Sequence, residues 1–468
     1  MRIKSEMKYE HPIRILQHCA VNLWLLFLPL LRSLNLFPFS TEAFIEWLKG
    51  AWMDILVMLF IFGSALVRWL GCRYCSDSKN FILVQGIFIQ KRIVIPFEKI
   101  TAALESEVKL PFMLRLSIFR IENTAGKITG DTVLWIRKKD CDELSAQIPI
   151  CKKEKKFKFT YSISIWKIIL YSFLFSSTLS GTLYIAAFFI EIKNAAREIL
   201  TELHITEAID KMSDAAASIF RAVPKIIIII LIILLFCRFI SFVINLMRSA
   251  GFHTAIDSNI IRILSGLFPR NHMNIYTPSI ECIIMKQGFI SKITGVASLF
   301  VTYPSSRSIR DKKALLVPIV SRKSHLNSTF SKKHKNKTIP SPYTLWCFIW
   351  QPMTIIGIIL GLLLIISYIK SYAYDIMFPL FGIALVPAAI FLLIRLITFR
   401  TQVIAWDNKE ISISYSQNFS FYTIVTEKDN ISLTKIVRTP MAKKQKYCNI
   451  TIYIKGGLKA VVRGASEK

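Results

Sequence analysis

Two hydrophobic periods take turns along the chain. Long apolar runs fall at approximately 15–35, 51–70, 163–190, 224–246, 344–368 and 376–397. Each is near the roughly 20 residues that cross a bilayer core of ~30 Å. Between pairs of runs the period drops to two, which predicts strands. Ile82 and Val84, then Ile87 and Ile89, alternate around Gly86, where a bulge or tight turn is expected. Ile93 to Phe97 is a short apolar run containing Pro96, which suits a strand edge. Leu116 to Ile121 alternates again, and Thr124-Ala-Gly126 reads as a turn into Thr132 to Ile136. Asn449 to Lys455 alternates strictly before Gly456-Gly457. A short helix is expected over Cys141 to Ile148, and a loop or helical turn over Glu105 to Leu114.

These patterns predict membrane α-helical hairpins, six transmembrane helices in all, combined with three small β-rich modules. The expected order is helix pair 15–70, module 72–150, helix pair 163–246 with an external loop at 191–222, module 250–325, helix pair 344–397 and module 400–468. The first run begins with basic residues but lacks a small-x-small cleavage pattern, so it is read as a retained helix rather than a signal peptide.

An internal repeat supports the division. Asp77-Ser-Lys-Asn-Phe-Ile-Leu-Val-Gln-Gly86-Ile-Phe88 aligns without gaps with Asp257-Ser-Asn-Ile-Ile-Arg-Ile-Leu-Ser-Gly266-Leu-Phe268, at an offset of 180. The same offset carries Ile95 onto Ile275, Ile100 onto Ile280, and Leu116-Ser-Ile-Phe119 onto Val296-Ala-Ser-Leu299. A more diverged third copy opens at Asp407 and puts Ile431 at the place of Ile100.

Charge orients the hairpins. The chain carries a formal +30, concentrated in the modules: 17 basic against 10 acidic groups in 71–162, 15 against 3 in 247–342, and 12 against 5 in 400–468. The alternate segments 32–54 and 191–225 are near neutral. Lys and Arg are retained on the cytoplasmic side, so both termini and all modules are expected in the cytoplasm of a plasma-membrane protein. Arg68, Lys167 and Arg395 lie near the cytoplasmic ends of their runs, where snorkelling explains them. Arg238 sits deeper and is the candidate intramembrane functional residue.

Two basic runs are the candidate binding elements: Lys152, Lys153, Lys155, Lys156 and Lys158, and Lys332, Lys333, Lys335 and Lys337. Near anionic lipid each such charge gains ~1 kcal/mol. Pinning a module to the membrane and merely orienting the next helix are both open readings. No recognition helix or stacking surface accompanies them, so no nucleic-acid partner is expected.

Catalytic chemistry finds no motif: no Walker loop, nucleophile elbow or His-Glu-x-x-His. Cys72-Arg-Tyr-Cys75 has no second ligand pair for zinc and reads as two reduced thiols. Glu105 and Glu107 share a face and read as solvated. The chain is expected to be no enzyme and to need no cofactor.

Gly86-Ile-Phe88, Val94-Ile-Pro96, Glu98-Lys-Ile100, Leu116 to Ile121, Asn123-Thr-Ala-Gly126 and Gly295-Val-Ala-Ser-Leu299 together resemble the bacterial pleckstrin-homology-like domain of membrane proteins, in its three-module, YdbT-like transmembrane form. The resemblance implies curved half-barrel modules used for binding. Tyr276 at the Pro96 position and Arg307 to Lys313 in place of the turn depart from it, and the third module has little room for a closing helix. The expected function is a non-enzymatic scaffold whose modules bind protein or the membrane surface, in an envelope-stress or export complex. Its partners would be the lipid bilayer and another membrane protein, such as a smaller relative of the same kind. The alternative is a transporter or channel subunit.

Overall fold

The computed structural model describes residues 7–22, 41–77, 79–87, 89–109, 115–125, 132–151, 159–175, 225–267, 269–305, 313–321, 336–369 and 374–466. The chain opens with β1 (Lys8–Tyr9), α1 (Arg14–Val21) and α2 (Thr41–Leu70). A first unit follows: β2 (Arg73–Ser76), β3 (Asn80–Gln85), β4 (Lys91–Pro96), β5 (Ile100–Lys109), β6 (Arg115–Asn123), β7 (Val133–Arg137) and α3 (Lys138–Gln147). The second comprises β8 (Phe159–Ser162), α4 (Ile165–Phe175), α5 (Lys225–Ser249), β9 (His253–Ile256), β10 (Ile260–Ser265), β11 (Arg270–Tyr276), β12 (Cys282–Gly288), α6 (Phe289–Ile293), β13 (Val296–Thr302) and β14 (Lys313–Ser321). The third runs from β15 (Asn336–Thr338) through α7 (Leu345–Ile369), α8 (Tyr374–Thr401), β16 (Val403–Trp406), β17 (Glu410–Gln417), β18 (Ser420–Glu427), β19 (Ile431–Val437), α9 (Pro440–Lys444) and β20 (Tyr447–Ile454) to β21 (Leu458–Ser466).

Local chemistry places the turns. Gly86, after β3, and Gly266, after β10, both hold positive φ, and a Cβ there would collide with the carbonyls of Ile89 and Pro269. The same short connection precedes the second strand of each meander, where the backbone N–H groups of Asp77, Asp257 and Asp407 donate to the carbonyls of Asn80, Ile260 and Glu410. Glu105 to Lys109, expected as loop, is instead the far half of β5.

The units do not fold as separate beads. Strand β5 pairs on one edge with β6 of its own unit and on the other with β11 of the next, making one antiparallel sheet ordered β7-β6-β5-β11-β10-β9-β8. Strand β12 repeats the arrangement in the sheet β14-β13-β12-β18-β17-β16-β15. The registers correspond: Ala102 stands opposite Ile275, and Cys282 opposite Thr426. The remaining sheets are β1-β2-β3-β4 and β19-β20-β21.

Each joining strand therefore faces two cores. Ala103 belongs to the first core, with Phe81, Phe119 and Ile121, while its neighbour Ala102 belongs to the second, with Ile261, Ile275 and Leu299. Cys282 and Ile284 enter the third core, while Ile283 and Met285 pack on the second. A strand buried on both faces needs a continuous apolar run rather than an alternation, as Ala102-Ala103-Leu104 and Cys282-Ile283-Ile284-Met285 supply.

Polar bonds stitch the same seams. Ser279 Oγ donates to the Thr101 carbonyl (3.4 Å), and Asn430 Nδ2 donates to the Glu281 carbonyl (3.0 Å) at the corresponding place in the next seam. Glu105 and Glu107 are not solvated. Lys138 at the start of α3 folds back between them, bonding Glu105 and lying 2.6 Å from Glu107 Oε1, and His272 of β11 stands 3.9 Å from Glu107. Burial raises the Glu107 pKa, but the Lys138 hydrogen bond and charge outweigh it and hold the carboxyl below its ordinary value.

The expectation of six transmembrane helices is overturned. The architecture is β-rich, and among the described residues one helix, Pro342–Ile365, is long and apolar enough to cross a membrane. Ile55–Leu70 and Ile165–Phe175 are shorter apolar helices. Of the expected span 15–35, the described part is the eight-residue α1, packed on α2. The described part of α4 is 11 residues, ~16 Å at 1.5 Å per residue. The later half of α8 turns Phe391, Ile394, Arg395 and Thr398 into protein, with Arg395 reaching β17. Hydropathy records that a helix is apolar, not whether lipid or protein covers it. The external loop 191–222 lies outside the described residues.

Two outcomes test the seams. Ala102→Asp, a carboxylate at a site with no exposure, should destabilise by ~3 kcal/mol or more. It should lower one shared thermal transition of the first two units; two transitions of which only one moves would show that the units are uncoupled. The Glu107 contribution is present above its unfolded pKa, near the ordinary 4.5, and is lost as pH falls through the lower folded value. Protection factors in β5 and β11, the exchange rates divided into the intrinsic rate at each pH, should therefore fall on acidification below pH ~5, and Lys138→Met should remove most of that dependence.

Candidate functional site

The most unusual polar constellation lies where α7 and α8 meet the third unit. Tyr343, in the 3-10 turn before α7, and Trp346 and Trp350 at its start are exposed, the two indoles 5.7 Å apart. Exposed Trp and Tyr at the end of an apolar helix suit the boundary between bilayer and water. One residue beyond Trp350, Gln351 interrupts the apolar run.

Gln351 Oε1 accepts from two guanidinium groups: Arg395 Nη2 of α8 at 3.3 Å and Arg463 Nη2 of β21 at 3.5 Å. Arg395 is only 6% exposed. It lies over the Phe391 ring, with its carbon Cζ 4.9 Å from the centroid, and its Nη1 donates to Ser416 Oγ at 3.3 Å. Its Nε is buried without a hydrogen-bond partner among the described residues. Gln402 fixes the Arg463 backbone, donating through Nε2 to its carbonyl at 2.6 Å and accepting from its N–H at 3.4 Å. The cavity between them holds about 200 Å³ and is lined also by Tyr415 and Asn418.

Among the described residues no carboxylate lies within ion-pair distance of Arg395 or Arg463. Two neighbouring cations sharing one neutral oxygen are left electrostatically unbalanced. Guanidinium forks match the oxygens of phosphate or carboxylate, so the arrangement can hold an oxyanion.

The residues singled out by sequence lie elsewhere. Lys152, Lys153, Lys155, Lys156, Lys158, Lys332, Lys333 and Lys335 are outside the described residues, and Lys337 is exposed on β15, opposite Ala405. Arg238 of α5 donates through Nη2 to the Phe173 carbonyl of α4 at 3.3 Å, with its charge 5.5 Å from that ring, so it ties the two helices together. Cys72 and Cys75 are free and buried, and burial, followed by the Glu10 charge, pushes the Cys72 thiol up to about 12. Arg395 was read only as a snorkelling cation, and Arg463 carried no local signal. The one trace in the sequence is Gln351, a polar residue inside an apolar run.

Comparison with known proteins bears on the modules around this site. Residues 29–149 and 207–324, together just over half of the chain, match the family model of the bacterial PH domain. The chain belongs to the bacterial PH domain family. The matched PH regions include β2 to β7 and β9 to β14 with part of the segment before each, whereas β16 to β21 lie outside them. No curated protein matches the chain.

Proposed function

We propose that the protein is a non-enzymatic scaffold at the cytoplasmic face of the cell membrane, a three-module PH-domain protein that holds an anionic lipid headgroup between Arg395 and Arg463. The observation that carries the reading is the shared Gln351 oxygen between two guanidiniums with no acid beside them. Its surroundings favour such a ligand: exposed Tyr343, Trp346 and Trp350 suit that end of α7 to the depth at which lipid phosphates lie. The concentration of basic residues in the modules, 15 against 3 acidic in 247–342, favours the side facing anionic lipid. The recurrence of a strand meander, a short 3-10 turn and three further strands in each unit supports the three-module form. The welded sheets favour a scaffold, because they fix how the modules are spaced.

The test uses the full chain in a neutral detergent, titrated with short-chain phosphatidylglycerol, with phosphatidylcholine and with inorganic phosphate. Phosphatidylglycerol should bind most tightly, and Arg463→Gln should weaken it ~10- to 100-fold, the worth of one charge-assisted hydrogen bond. Arg463→Lys should recover part of the loss, since it restores charge but not the fork. Equal binding of wild type and Arg463→Gln, with both folded, refutes the lipid site; equal binding of inorganic phosphate and lipid assigns the site to a free anion instead.

A further inference from the structure

Both seams obey one rule, and among the described residues β4 and β19 are left as unmatched halves of it. The strand after the 3-10 turn of one module (β5, then β12) pairs with the strand before that turn in the next (β11, then β18). Strand β19 stands where β5 and β12 stand in their modules, after the 3-10 turn Lys428–Asn430, and is an edge of its sheet. Strand β4 stands where β11 and β18 stand, and it too is an edge. We infer that a second copy of this chain completes the rule, β19 of one copy pairing antiparallel with β4 of the other, so that copies join head to tail through a third seam of the same kind.

The side chains of β19 support this more directly than its free edge does. Leu433 occupies the place of Ala102 and Cys282, which are 0% and 2% exposed because each enters the core of the next module. Leu433 itself is 57% exposed. It is a residue placed for a neighbouring core that the described residues do not provide. Ile436 and Val437 are exposed beside it too, on opposite faces of the strand.

The register follows from the two existing seams. Leu433 falls opposite Ile95, as Ala102 does opposite Ile275 and Cys282 opposite Thr426. Thr434 then falls opposite Val94, Lys435 opposite Ile93, Ile436 opposite Arg92 and Val437 opposite Lys91. Ile93 and Ile95 already belong to the first core, so Leu433 extends it. Pro96 does not obstruct the ladder, because its counterparts Tyr276 and Glu427 lie one residue past the last paired position in each seam. The stitch has a counterpart too: Lys99 sits at the place of Ser279 and Asn430, and the Ser432 carbonyl at the place of the Thr101 and Glu281 carbonyls. Lys435 and Lys91 would share a face two residues apart, so added salt should strengthen the contact. The surfaces joined are different, so the assembly either closes as a ring or extends as a filament.

The experiment mixes two full-length variants carrying different tags, Val94→Cys and Thr434→Cys, with each variant alone as the background for the native thiols. Oxidation should link the two tags in the mixture and not in either variant alone. Native mass spectrometry or light scattering of wild type should show species larger than one chain, and the exposed double change Leu433→Lys with Ile436→Lys should weaken association at least ~10-fold while the melting temperature holds. The inference is overturned if wild type stays a single chain with no linkage in the mixture. It is equally overturned if a chain carrying both cysteines links only to itself, or if association persists undiminished in the double-lysine variant.

Discussion

The structure depends on strands that serve two hydrophobic cores at once. In β5, Ala103 faces the core formed with β2 to β4, and the adjacent Ala102 faces the core of the following module. Successive strand side chains point to opposite faces, so a strand laid between two cores contributes to both only where consecutive residues are apolar, as at Ala102-Ala103-Leu104. Small residues suit the position because sheet material approaches from either side. The consequence is mechanical: spacing and orientation of neighbouring modules are set by a ladder of backbone hydrogen bonds, not by a linker.

That constraint gives the functional surfaces their relation to one another. The arginine pair at the root of α7 sits on the third module, and the pairing of β12 with β18 fixes that module to the second. A headgroup held between Arg395 and Arg463 would therefore position the whole array. The Glu105–Glu107–Lys138 cluster adds a polar contribution at the first seam, where His272 brings a titratable group from the next module. Across the second seam Thr426 Oγ1 and Asn430 Nδ2 instead donate to the Glu281 carbonyl, neutral bonds with no titrating group, so the two seams should answer differently to acid.

Much of each module was legible in the sequence, because a half-buried strand writes its own period. Gly86 and Gly266 fall at the turns that demand positive φ, the alternations at 82–84 and 116–121 fall within strands, and that at 449–455 does so up to Ile454. What was not legible was partnership. The pattern of β5 records that both faces are buried but not by what, although the unbroken Ala-Ala-Leu and Cys-Ile-Ile-Met runs were a usable sign. The solvated reading of Glu105 and Glu107 failed because Lys138 returns from about thirty residues away. Six spans were expected because hydropathy treats a helix as alone; α8 instead spends its later half on protein contacts. Arg395 and Arg463 are distant in sequence and meet only through the fold.

The seam between β5 and β11 also sets a clock. The two strands are separated by the whole of residues 110–269, so a growing chain exposes β5 long before its second partner exists. At ~5–20 residues per second of synthesis, the gap lasts roughly ten to thirty seconds. During that interval Ala102 and Leu104 lie on an open sheet edge, and the same vulnerability recurs for β12 until β18 emerges. A protein built this way is expected to lean on whatever shields nascent edges, and slowing elongation across 110–269 should lower its yield more than slowing it elsewhere.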